Sequence, residues 1–538
     1  MKIGSDIIKV YKDVHIWIGI VCGLMLFIAF YAGAITMFEK PLERWATPPS
    51  TLAAAPPLEE ADRLAAAVLA AHPQAASRWF VSVVPTADQP ARVYWQERGR
   101  GRREVKEFGA SFAPDGSLQV EATRKSPVAQ LVDTLHQLVG LPFPDGIARP
   151  IMGAVALAYT VALVSGLIVL LPTLARDVFA LRIGKNVKRM WLDAHNALGI
   201  FSLPFHLVIA LTSVVFAFHH LFYEAQEQVV YPEGIPWGEE EHVQAAPGAR
   251  MLAASELLRR VELQLPGFQV HGFGFQNKDG QVQATVTGLD VTRGTRARTY
   301  ASTHLDPYTG TVDPHDLPGH MDRWSASVNS FFALHFGSFG GNTVRWLYLL
   351  MGLAGAALFY TGNLLWVESR RRRRKGPDTV VQKRSAWALG CLTVGVSLGC
   401  VAGISATLAA AKWLPARVDN LQAWHTGIYY AVFVAAIAWA LARGPARAAV
   451  ELLWASALLT LLIPLSRLAG IRGIGGSWSH AGSWPVDLAA LAAVPVLLLL
   501  AHHTRRRLRH GPGDSVWSGA ASTPTPTPGV PVGSVAGN

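Results

Sequence analysis

The chain has 538 residues, 51% hydrophobic and only 16% charged, with a mean hydropathy of +0.26, which excludes an ordinary soluble globular protein. The formal net charge of +11 raises nucleic acid as a partner. The basic residues, however, crowd short connections between apolar runs, which is a topogenic bias; a lipid bilayer is the expected partner, and no nucleic acid.

A run of about 20 apolar residues spans the hydrocarbon core of a bilayer. Ile16–Phe38 is the first such run, and Met37-Phe38-Glu39-Lys40 follows it where a signal peptide would show a small-residue cleavage site, so we read a retained anchor. In the polar stretch that comes next, Pro57–Ala71 has a helix pattern, while Trp79–Val84 and Ala91–Gln96 alternate like strands. Phe112-Ala113-Pro114-Asp115-Gly116 then reads as a turn. Ile151–Leu171 and Ala197–Phe218 are the next two spans, joined through a basic connection ending at Arg189. A second polar stretch repeats the order of the first: Ser255–Leu265 as helix, Gln269–Phe275 and Gln281–Thr287 as strands, and a strand closing on Asp306-Pro307-Tyr308-Thr309-Gly310. Trp346–Val367, Ala386–Ala411, Ile428–Leu441, Ala448–Leu465 and Val486–Ala501 complete eight expected spans.

The expected organisation is a first helix (1–40), a polar domain (41–149), a helix pair (150–220), a second polar domain (221–342) and a fourth helix with a basic loop (343–375). A four-helix extension (376–510) and a low-complexity tail with Thr-Pro repeats (511–538), expected to lack fixed structure, follow. Lys2, Lys9 and Lys12, the run Arg370–Lys375, Arg443 and Arg447, and Arg505 to Arg507 place both termini in the cytoplasm and both polar domains outside by the positive-inside rule. Cys22, Cys391 and Cys400 all lie in apolar runs, so no external disulfide is expected.

Histidines recur at matching places in the two copies. His15 opens the first span and His195 the third, while Leu135-His136 precedes the second and Leu334-His335 the fourth. Parallel repeats of this kind are related by a pseudo-twofold axis along the membrane normal, with the functional site between them. His15 with His195, and His136 with His335, can then each converge on the bundle axis and give two ligands to each of two stacked cofactors. Neutral imidazole ligates haem iron, and bis-histidine ligation suits a b-type electron carrier held between helices. Gly19, Gly140 and Gly199 would leave room for a flat macrocycle. A single boundary histidine is more simply an interfacial ring; the recurrence of four argues for ligands.

His206 lies eleven residues beyond His195, which on a straight helix returns it to nearly the same face, about 16 Å deeper. A histidine inside the membrane is costly, so His206 is a further candidate, as a ligand or a hydrogen-bonding side chain. His425 and His480, at the outer ends of the extra helices, read as interfacial or loop residues. The absence of C-x-x-C-H argues against covalent haem attachment, leaving haem b as the expected cofactor, in two copies. No Walker motif, H-E-x-x-H, G-x-S-x-G or dinucleotide fingerprint is present. An electron donor must therefore be a membrane quinol or a separate reductase.

Val14-His15-Ile16-Trp17-Ile18-Gly19, Leu135-His136-Gln137-Leu138, Leu192-Asp193-Ala194-His195-Asn196-Ala197-Leu198-Gly199, Leu203-Pro204-Phe205-His206 and Leu334-His335-Phe336-Gly337 resemble the PepSY-associated transmembrane-helix family. The turn at Asp306–Gly310 resembles the closing turn of a PepSY domain, from which Phe112–Gly116 departs. The resemblance spans residues 10–370 and implies a role in iron uptake, some members being inner-membrane di-haem reductases of ferric siderophores. It maps His15, His136, His195 and His335 onto the family's histidine positions.

The resulting expectation is an α-helical integral membrane protein of about eight transmembrane helices with two small α+β PepSY-like periplasmic domains and a duplicated core. In a bacterial inner membrane it would carry electrons to a periplasmic ferric chelate, such as a ferric siderophore. Two other readings remain open at this point: a non-enzymatic PepSY-domain sensor or chaperone, and a transporter for the siderophore or its metal.

Overall fold

The computed structural model describes residues 4–98, 105–174, 186–230, 249–278, 281–290, 301–315, 317, 319–373, 380–474, 478–479, 484–511, 515–517 and 522–524. Helix α1 (Ser5–Thr36) runs unbroken because no proline or charge interrupts it beyond Asp13. A short amphipathic α2 (Glu39–Ala46) follows, then α3 (Ala61–Ala71) and strands β1 (Arg78–Ser82), β2 (Val93–Arg98), β3 (Val105–Phe112) and β4 (Leu118–Ala122). The chain continues through α4 (Val128–Gln137), α5 (Asp145–Leu170), α6 (Val187–Phe201), α7 (Leu203–Ala217), α8 (His219–Val229) and α9 (Ala254–Gln264). Strands β5 (Phe268–Lys278), β6 (Gln281–Asp290) and β7 (Ala301–Leu305) precede α10 (Arg323–Phe336) and α11 (Gly341–Ser369). Two short strands, β8 (Arg371–Arg373) and β9 (Val380–Gln382), lead to α12 (Arg384–Ala411), α13 (Leu421–Arg443), α14 (Pro445–Ile471) and α15 (Trp484–His510), and β10 (Ser522–Pro524) comes last.

Among the described residues seven helices are long and apolar enough to cross a membrane, and α6 with α7 makes an eighth if the pair is one span. This is a multi-pass membrane protein. The expected straight helix over Ala197–Phe218 is not what forms: α6 and α7 meet at a 69° bend. Pro204 lacks the N–H that would bond back to Ile200, and its ring clashes with that carbonyl. The Ser202 hydroxyl donates to the Leu198 carbonyl at 2.5 Å, taking a backbone acceptor at the same turn. The straight-helix argument for His195 and His206 therefore fails, and each must be placed by its own contacts.

The chain divides into two compact units. The helical unit (Met1–Ala46, Pro127–Leu211 and Leu349–Asn538) has small residues where helices touch. A Cβ at Gly352 would stand 2.9 Å from the Ala34 Cβ, and Gly395, Gly399 and Gly403 of α12 meet Ile437, Phe433 and Tyr429 of α13. Close backbone approach at glycine gives van der Waals packing that lipid does not match. One core joins Leu26 and Phe30 of α1 with Cys400 and Ile404 of α12 and Tyr429 of α13, so the four extra helices are built into the bundle. Trp45 fastens them again, its Nε1 donating to Asp487 of α15 at 3.0 Å. All three cysteines are free and buried.

The chain beyond Gly511, expected to lack structure, departs from that at its described residues: Val516 and Trp517 are buried, and β10 pairs with β9. The rest of the Thr-Pro segment lies outside the described residues.

The sheet unit (Thr47–Ser126 and Thr212–Tyr348) contains both expected α+β halves. Each gives a helix followed by antiparallel strands, and the halves join through their first strands into one seven-stranded sheet ordered β4-β3-β2-β1-β5-β6-β7. A row of side chains crosses it in register: Phe108, Trp95, Trp79, Phe275, Ala284 and Leu305. The rings of Trp79 and Phe275 stack at 5.3 Å across the junction of the halves. Cross-strand aromatic pairs of this kind stabilise a register. Leu64 and Val68 of α3 and Leu257 and Val261 of α9 cover the same face.

Candidate functional site

His15 of α1 and His195 of α6 come together in the helical unit, their ring centres 6.1 Å apart with planes at 69°. Both rings are held from the same side. His15 Nδ1 donates to the Ala162 carbonyl of α5 at 2.8 Å, and His195 Nδ1 donates to the Leu358 carbonyl of α11 at 3.1 Å. A carbonyl on Nδ1 fixes the tautomer, leaving Nε2 as the nitrogen with a lone pair. Two imidazoles bonded at about 2 Å to opposite sides of one metal ion have ring centres about 6 Å apart, so the spacing suits a shared ion.

Each ring lies on a glycine of the helix that holds it. A Cβ at Gly166 would stand 2.8 Å from His15 Cε1, and one at Gly362 would stand 3.1 Å from His195 Cε1. Gly19 and Gly199, expected to leave room beside the ligands, have little against them: nothing within 4 Å of a Cβ at Gly19, and only Leu358 at 3.7 Å for Gly199. Gly140 is different; it has φ +72 and packs on Ile28, so it serves the turn after α4.

His136 shows the same device. Its Nδ1 donates to the Ala29 carbonyl at 2.8 Å, and its ring lies over Gly33, where a Cβ would stand 2.7 Å from Nδ1. Asp133, one turn earlier, accepts from Gln137 at 2.7 Å, and burial holds its carboxyl above the usual range while the His136 ring pulls the other way. His206 is fully buried, with Nδ1 2.6 Å from the Tyr159 hydroxyl and its ring 5.4 Å from that of Phe30. Its Nε2 is buried with no hydrogen-bond partner among the described residues. His136 and His206 therefore flank neighbouring positions of α1, Ala29 to Gly33. In the sheet unit, His335 closes α10 with Nδ1 2.9 Å from the Thr212 hydroxyl and its ring against Phe216 at 4.8 Å.

A family profile described as the PepSY-associated TM region matches residues 13–369. The chain belongs to that family. The PepSY-associated TM region takes in His15, His136, His195, His206 and His335 and ends with α11, so α12 to α15 lie beyond it. No curated protein matches the chain.

The sheet unit also has a cavity of about 270 Å³, lined in part by Tyr94, Glu107, Glu121, Arg124 and Lys125. Lys125 pairs with Glu107 at 2.7 Å, and burial beside Glu107 pushes the Tyr94 phenol up to about 12.

Two features of the site escape a reading of the chain by itself. The glycines under the rings, Gly33, Gly166 and Gly362, stand on helices other than those of their histidines, and no spacing links them. His425, expected at an interface or in a loop, lies within α13 and is fully buried. His480 lies outside the described residues.

Proposed function

We propose that this PepSY-associated membrane protein holds haem b and passes electrons to a ferric chelate, of the ferric siderophore class, on the periplasmic side of a bacterial inner membrane. The observation that carries the reading is the His15–His195 pair, 6.1 Å apart with both Nδ1 atoms tied to backbone carbonyls. Two imidazoles so tied would be available to hold a haem between the helices. Bound haem b would supply a one-electron ferric/ferrous couple.

His15 and His195 would hold one haem, and His136 and His335 remain candidate ligands for further haem, with His206 a further ligand or hydrogen-bonding side chain. The carbonyls of Ala162, Leu358 and Ala29 orient the imidazoles and raise their basicity. Glycine beneath the rings of His15, His136 and His195 lets the helices close in on them. The apolar core around Phe30 and Phe205 excludes water from the bundle. A chelate docking on the sheet unit would find cations and a phenol in the cavity at Arg124, Lys125 and Tyr94. Hard oxygen donors hold Fe(II) far less tightly than Fe(III), so reduction loosens the iron.

The test is a reduced-minus-oxidised visible spectrum of protein purified from haem-supplied cells, with a pyridine haemochrome count. Two b-type haems, the same one lost in His15→Ala and in His195→Ala, is the expected result. Colourless protein would overturn the proposal, and chelate flux into liposomes without a reductant would point to transport.

A further inference from the structure

Helix α13 lies beyond the family match and has a histidine with no hydrogen-bond partner among the described residues. His425 is 0% exposed, and neither Nδ1 nor Nε2 meets a hydrogen-bond partner among the described residues. Buried polar groups are normally satisfied, so a ring with two unpaired nitrogens in an apolar core asks for a ligand. One turn on, Tyr429 occupies the same helix face, also 0% exposed, its ring lying on Gly403 and stacked on Phe433 at 5.6 Å. The Cys400 thiol lies beside its hydroxyl.

The placement of α13 gives this pair a purpose. Tyr430 donates to the Gly140 carbonyl at 3.4 Å, four residues past His136, so α13 stands against the helix that bears His136. Packed helices lie about 8–10 Å apart. Trp424, next to His425 on the helix, is more than half exposed, an apolar side chain open to a molecule arriving from lipid.

We infer that His425 and Tyr429 form the binding site of a lipid-soluble hydroquinone, the electron donor for the histidine-held centre. The inference rests on the haem reading above. Neutral imidazole has one acceptor and one donor nitrogen, which match the hydroxyl of a hydroquinone, and the stacked Tyr429 and Phe433 rings suit its aromatic body. Oxidation must remove a proton with each electron, and imidazole is the side chain suited to accept one near neutral pH. One hydroquinone and two ferric chelates give one quinone, two ferrous chelates and two protons. The O–H bond that faces His425 breaks toward its imidazole, the other hydroxyl gives its proton to bulk water as the quinone departs, His425 then releases its own to bulk water, and the two electrons leave singly.

The experiment uses the full-length protein in phosphatidylcholine nanodiscs, with decylubiquinol as donor and dithionite as a donor that needs no site. Binding of decylubiquinone is followed separately by tryptophan quenching, which needs no haem. In His425→Leu, saturable binding should weaken about tenfold, the worth of one hydrogen bond. Haem reduction by decylubiquinol should slow to match, with the dithionite spectrum unchanged. His425→Gln, able to hydrogen-bond but not to take a proton, should keep binding and still lose reduction. Wild-type binding that is not saturable, or equal binding in His425→Leu, overturns the site. A red protein reduced by dithionite but not by decylubiquinol also overturns it, while sparing the haem reading. Colourless protein that binds decylubiquinone through His425 supports the site and sinks the haem reading.

Discussion

Replacing Gly166 with alanine asks whether the His15 ring is held where a ligand must be. The new Cβ would stand 2.8 Å from Cε1 and 2.9 Å from Nδ1 of His15, where ordinary contact begins at 3.4 Å. A flexible neighbour could yield cheaply, but this ring is tied by Nδ1 to the Ala162 carbonyl at 2.8 Å. To relieve the overlap it must leave that bond and turn Nε2 off its axis. Overpacking of this kind costs about 1–3 kcal/mol, and the lost hydrogen bond about 0.5–1.5 kcal/mol. The two are not additive, because moving the ring removes the clash; about 1–3 kcal/mol is the expected total. That corresponds to about 5- to 150-fold weaker retention of a haem ligated by His15. The control is Gly146→Ala on the same helix, where nothing lies within 4 Å of a Cβ. Both variants would be purified, checked for monodispersity and titrated with haem at the Soret band. A folded Gly166→Ala protein that retains haem as tightly as Gly146→Ala would refute the argument that this contact fixes the ligand.

Three further outcomes follow from the packing. Trp45→Phe removes the buried bond to Asp487, leaving that carboxylate to Arg467 at 3.1 Å, and should destabilise the docking of α15 by about 1–3 kcal/mol. An unchanged thermal midpoint would show that the extra helices are fastened elsewhere. Gly288→Ala places a Cβ 2.4 Å from the Gln269 carbonyl, backbone that cannot yield, beside the bulge between Val270 and Gly272. It should cost more than about 3 kcal/mol and expose the sheet unit to limited proteolysis, and wild-type resistance would contradict this. Glu256 is drawn down to about 2 from its ordinary 4.5 by hydrogen bonds from Arg259 and Arg260. Its folded value lies below its unfolded one, so its contribution is present above pH 4.5 and is lost as pH falls toward about 2. Glu256→Gln should lower the urea midpoint slightly above pH 4.5 and flatten its fall through the acid window, so that the two proteins converge toward pH 2; equal midpoints at pH 7 with identical acid limbs would disprove the assignment.

Much of this architecture is local, and so is legible along the chain. Helix α1 follows from an apolar run long enough to span a bilayer, and α12 to α15 follow from theirs, because length and hydropathy are properties of one segment at a time. The strands at Trp79 and Phe273 follow from alternation, since a strand turns successive side chains to opposite faces. His15, His136, His195 and His335 stand out because a duplication repeats chemistry at matching places, and His206 because a histidine inside the membrane is costly. A broken span at Ser202 was within reach too: Leu203-Pro204 is in plain view, but apolar periodicity continues through it, and only the lost backbone bond makes the bend.

Other decisions belong to tertiary structure, because they are made by residues distant along the chain. The two α+β halves become one sheet through β1 pairing with β5, and an unpaired strand edge carries no mark of which edge will complete it. His15 gains its orientation from Ala162, and His195 from Leu358, through backbone carbonyls that any residue would offer. Gly166 and Gly362 matter only because other helices bring imidazoles onto them. His425 reads as a boundary residue because it precedes the apolar run Ile428–Leu441; the helix starts earlier, at Leu421, and packing buries the ring fully. Composition and period determined which segments would enter the membrane or form strands. The contacts between those segments decided which ring nitrogens are tied, which glycines lie beneath them, and which histidine is buried without a hydrogen-bond partner among the described residues.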